Sequence, residues 1–75
     1  MRKFVLVLDY GRIVIKGLRD VWIQPNSLRP GYALCYADTI YGRNFIYCST
    51  DLELLKEVQH KLIRAYNSGK SAVRL

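Results

Sequence analysis

The sequence predicts an α+β fold: an antiparallel sheet or roll of about five strands, with one C-terminal helix over residues 50–68 packed on it. Three observations carry this. The first fifty residues hold short runs of β-branched and aromatic residues. Glycine-containing turns separate several of those runs. After Ser49 the apolar residues recur every three to four positions, between a helix-start and a helix-stop signal.

The strands are read in order. Phe4-Val5-Leu6-Val7-Leu8-Asp9 and Arg12-Ile13-Val14-Ile15-Lys16 flank Tyr10-Gly11, the spacing of a two-residue hairpin. That register sets Leu8 against Ile13, Leu6 against Ile15 and Asp9 against Arg12. It places Phe4, Leu6, Leu8, Ile13 and Ile15 on one face. Gly17-Leu18-Arg19-Asp20 is expected to turn into a third strand, Val21-Trp22-Ile23-Gln24. Two prolines and a glycine within 25–31 mark a loop. Strands 32–37 and 45–49 flank a turn at 39–43. A two-residue turn at Tyr41-Gly42 would set Cys35 opposite Cys48, and a longer turn would not.

The helix has signals at both ends. Thr50-Asp51-Leu52-Glu53 fits a capping box with Thr50 as the cap, and Gly69 is a natural stop. Leu55, Val58, Leu62 and Ala65 form the apolar stripe, widened by Leu52, Leu54 and Tyr66. The tail 72–75 suits a short edge strand or an extended packed segment.

Length and composition set the bounds. Seventy-five residues suit one domain, 1–75, and 51% hydrophobic with 24% charged residues suits a globule. Phe4 to Leu8 is too short an apolar stretch for a signal core, and no run approaches the ~20 residues of a membrane span. Two cysteines and one histidine without metal-ligand spacing argue against a zinc site or disulfide scaffold. No membrane association and a reducing, cytoplasmic setting are expected. The net charge is +6, with +4 in residues 1–50, zero in 51–68 and +2 in the tail.

The pattern Asp9-x-Gly11-Arg12-Ile13-Val14, Val21-x-Ile23, Gly42-x-x-x-Ile46, a Ser49/Thr50-x-x-Glu53 cap, an amphipathic helix and Gly69 resembles short uncharacterised proteins of Gram-positive bacteria and their phages. In these a small β-sheet precedes a C-terminal amphipathic helix. The resemblance implies a compact sheet-plus-helix unit from a mobile element, and carries no catalytic residues to transfer.

No reaction chemistry is legible. His60 lies on the polar side of the helix, and both cysteines sit in strands without a histidine near them in sequence. Asp9, Asp20 and Asp38 fall at strand ends or turns, where aspartate serves the backbone. There is no phosphate loop or nucleophile elbow. The expectation is a protein that is not an enzyme and uses no cofactor.

Binding is better signalled. Six tyrosines and one tryptophan, with arginines in the turns, are the residue types of binding hot spots and base-stacking surfaces. Tyr10, Arg12, Trp22, Arg29, Tyr41 and Arg43 are the candidate binding residues. One helix covers one face of a five-stranded sheet, leaving Val5, Val7, Val14 and Trp22 on the other as a candidate oligomer face. The expected function is a non-catalytic protein-interaction module, a homo-oligomer and modulator of a host protein. The alternative is nucleic-acid or nucleotide-ligand binding through a basic, aromatic-rich sheet surface.

Overall fold

The computed structural model describes residues 2–40 and 42–75. Tyr41, one of the candidate binding residues, lies outside the described residues. The described residues form an α+β fold, with six strands in two sheets and one helix: β1 (Lys3–Leu8), β2 (Gly11–Lys16), β3 (Leu18–Pro25), β4 (Tyr32–Asp38), β5 (Gly42–Ser49), α1 (Leu52–Asn67) and β6 (Ala72–Arg74). The first sheet has the order β2-β1-β6 and the second β3-β4-β5. All pairings are antiparallel except that of β1 with β6. The tail thus supplies the edge strand its apolar residues suggested.

The first hairpin keeps the expected face and shifts its register by two residues. Leu8 pairs with Gly11, Leu6 with Ile13 and Phe4 with Ile15, so the two-residue loop is Asp9-Tyr10. A two-residue turn at Tyr10-Gly11 would demand positive φ of a tyrosine, an unfavourable conformation for a bulky side chain. With the loop one residue earlier, the positive φ (145°) falls on Gly11. Asp9 loses Arg12 as a cross-strand partner and lies 3.8 Å from Arg74 instead. A shift of two preserves which side chains point inward.

The expected turn at 17–20 contracts to one residue. β2 ends at Lys16 and β3 starts at Leu18, so the chain passes from one sheet to the other at Gly17. The Gly17 N–H donates to Arg2 O at 3.1 Å, and the Thr39 hydroxyl to Lys16 O at 2.7 Å, which ties this corner to both sheets. At the far end of β3, Gly31 is required by space. A Cβ there would lie 2.8 Å from Ser49 O, and its φ is +113°.

The helix closes the roll. Its N-cap is Asp51, whose carboxylate accepts from the Leu54 N–H at 3.2 Å, in place of the expected Thr50. Aspartate is the stronger cap of the two, and the Ser49 hydroxyl secures it by accepting from the Asp51 N–H. At the other end Gly69 N–H donates to Tyr66 O and Lys70 N–H to Ala65 O, the paired bonds of a Schellman closure. Leu55, Leu62 and Ala65 are buried. They meet Phe4, Leu6 and Ile15 of the first sheet and Leu34 and Ile46 of the second. Each fully buried apolar side chain contributes about 1.5–3 kcal/mol. Phe4 meets Tyr66 edge to face at 5.2 Å, and the Gln59 amide donates to Val21 O on the outer edge of β3. Among the described residues no helix is long and apolar enough to cross a membrane.

Candidate functional site

Because the helix fills the inside of the roll, each sheet turns its other face to solvent. Strand alternation decides what those faces carry.

On the second sheet the cross-strand partners form three rows. They are Asp20–Ala37–Arg43, Trp22–Cys35–Phe45 and, beyond a register shift in β5, Gln24–Ala33–Cys48. Val21, Leu34 and Tyr36 point the opposite way into the core. The middle strand therefore contributes only small outward side chains, flanked by larger ones on β3 and β5. Phe45 is 56% exposed, and Leu28 in the adjoining loop is 91% exposed. Trp22 is half-buried. The Arg43 guanidinium lies 6.0 Å from the Trp22 ring, reaching across the central strand. The Trp22 indole N–H donates to Gln24 Oε1 at 2.9 Å, fixing the ring's orientation. Beside Phe45 a depression of about 470 Å³ is lined by Leu28, Arg29, Cys35 and Cys48 among others.

The first sheet is built differently. Lys3 stands opposite Lys16, Val5 lies between Val14 and Ala72, and Val7 lies between Arg12 and Arg74. Val5 and Val7 are half-buried, and Val14 is 45% exposed.

The structure thus divides the candidate residues. Trp22, Arg29 and Arg43 come together on or beside the second sheet's outer face. Arg12 belongs to the first sheet, with Val5, Val7 and Val14, so Trp22 is on a different surface from those three valines. Tyr10 joins neither group. Its hydroxyl donates to Ile46 O on β5, linking the first hairpin to the second sheet. Burial, and secondarily Cys48, raise the Tyr10 pKa, consistent with a phenol that stays protonated as a donor.

Sequence reasoning passed over Phe45 and Leu28. Phe45 has the apolar character of a core residue. Its outward direction follows only from the pairing with Cys35 and the shift next to it in β5. Leu28 sits in a segment marked only by its prolines and glycine.

Cys35 lies opposite Phe45 and Cys48 opposite Ala33, so the cysteines are diagonal neighbours. Diagonal positions are about 7–8 Å apart, beyond ordinary disulfide reach, and both thiols are free. Burial raises the Cys35 thiol pKa, which lowers its thiolate fraction. Among the described residues no three His, Cys, Asp or Glu side chains converge as metal ligands. His60 is exposed and borders an open groove with Lys61, Arg64 and Lys70. No family model, curated protein or solved structure matches the chain, so the resemblance to short proteins of Gram-positive bacteria and their phages rests on its sequence pattern alone.

Proposed function

We propose that this chain is a non-catalytic protein-interaction module whose docking surface is the outer face of β3, β4 and β5, and that its primary occupant is a second copy of itself. The observation that carries this is the self-complementarity of the three rows. A twofold axis lying in the interface and running along β4 exchanges the positions of β3 and β5. Trp22 of one copy then meets Phe45 of the other, and Asp20 meets Arg43 on both sides of the axis. The small residues of β4, with Ala33 and Cys35 buried and Ala37 half-buried, form a floor that leaves room for the flanking rings. An isologous contact of this kind closes on itself and leaves no free copy of the surface.

Aromatic residues and arginine are the usual anchors of such an interface. Its size argues for a weak contact. Three strands about 4.8 Å apart and seven residues at about 3.3 Å each span roughly 14 by 23 Å. That footprint is below the ~800 Å² per partner of standard interfaces, so micromolar affinity is expected, with Leu28 extending the contact at one end.

Sedimentation velocity across about 5–500 μM tests the reading. A concentration-dependent monomer–dimer equilibrium is expected, weakened about a hundredfold by Phe45→Asp without loss of the far-ultraviolet circular dichroism signal. A strict monomer over that whole range would refute it.

A further inference from the structure

We infer that the outer face of the first sheet binds the phosphate backbone of double-stranded DNA, independently of the self-association proposed for the second. The face is organised as two rows of cations with an apolar row between them. Lys16 and Lys3 make the first row, and Arg12 and Arg74 flank Val7 in the last. Val14, Val5 and Ala72 make the row between. All four cationic residues are exposed. Asp9 approaches them, 3.8 Å from Arg74 with its side chain 97% exposed.

This arrangement opposes the fold's own stability. Like charges directly across a strand pair are destabilising, and Lys3 faces Lys16 in the hairpin that starts the chain. A polyanion laid over both rows converts that repulsion into attraction.

The spacing favours a duplex. The two cation rows are four residues apart along β1, about 13 Å at strand rise. The major groove of B-DNA is about 12 Å wide, so one row meets the phosphates on each rim. Arg12 and Arg74, two strand spacings apart, lie about 9–10 Å from each other along one rim. Between the rows the valines offer no hydrogen-bond donor or acceptor, so the contact positions without reading sequence. They also argue against a bilayer. Interfacial membrane binding needs protruding bulky apolar side chains, whereas Val5 and Val7 are recessed among longer cationic stems.

Fluorescence anisotropy with a labelled 20-base-pair duplex tests the inference, with its single strand and anionic phospholipid vesicles as parallel probes. Four phosphate contacts predict that log affinity falls with log salt at a slope of about −3.6. The double variant Arg12→Gln/Lys16→Gln should lose tenfold or more in affinity and bring the slope to about −1.8. Lys56→Gln/Lys61→Gln removes the same net charge from the helix and should stay within twofold of the parent. Circular dichroism confirms that both variants are folded. Equal losses in the two double variants, tighter binding to the single strand, or binding to vesicles alone would each overturn the inference. So would the absence of duplex binding at low salt.

Discussion

The two sheets show the core the same kind of side chain and show solvent opposite kinds. Inward, Phe4, Leu6 and Ile15 on one sheet and Leu34 and Ile46 on the other are all fully buried. Outward, the first sheet carries lysines, arginines and valines, and the second carries two aromatic rings, small residues and one charge of each sign. Inward residues are constrained by a shared requirement for volume and apolarity. Outward residues are free of that requirement, so the two outer faces can differ. A face with both charge signs and rings can satisfy a copy of itself. A face of one sign cannot, because a second copy would repel it.

The largest effects should fall where the sheets are alike. Leu6→Ala and Leu34→Ala each remove a fully buried side chain and should cost about 2–5 kcal/mol, read from urea unfolding midpoints. A much smaller loss for either would mean that the core is not shared equally between the sheets.

Next come the outer faces, where identical chemistry should give different outcomes. Phe45→Asp should raise the dimer dissociation constant about a hundredfold, some 2.7 kcal/mol, while Val14→Asp should leave sedimentation unchanged and weaken duplex binding. Reversed outcomes would exchange the roles of the sheets.

A smaller effect has the opposite sign to most mutations. Lys16→Thr relieves the repulsion from Lys3 and adds a β-branched residue to a strand. It should stabilise the fold by about 0.2–1 kcal/mol, and 1 kcal/mol corresponds to about 4–8 °C in Tm for a domain of this size. Loss of stability would mean that Lys16 contributes more by packing than it costs by charge.

Thiol labelling gives the finest distinction within the second sheet. Iodoacetamide should modify the exposed Cys48 well before the buried Cys35, and raising protein concentration should slow Cys48 as dimer forms. Equal rates would contradict the assigned burial.

Much of the fold was legible because its signals are local. The shared face of Phe4, Leu6, Leu8, Ile13 and Ile15 follows from alternation alone and survived a register shift of two, with Ile13 only partly buried. The helix follows from its stripe and its closing glycine, with the cap displaced by one residue from Thr50 to Asp51. What escaped the sequence is non-local. One glycine at 17 splits the strands into two sheets, and nothing in residues 16–20 distinguishes a corner from a turn. That corner separates Arg12 and the valines from Trp22, Arg29 and Arg43. The irregularity in β5 likewise decides that Phe45 and Cys48 share an outward face, although their spacing in sequence places them on opposite ones.

The self-complementary second sheet is tested most directly by a charge-swap mixing experiment. Asp20→Arg and Arg43→Asp are made as separate single variants and examined by sedimentation, alone and in equimolar mixture. Each alone sets like charges against each other on both sides of the twofold axis and should remain monomeric where the parent dimerises. Mixed, the charges become complementary on both sides of the axis, and a heterodimer should form with close to the parent's affinity. Unimpaired dimerisation of either single variant, or a mixture that stays monomeric, would contradict the proposed interface.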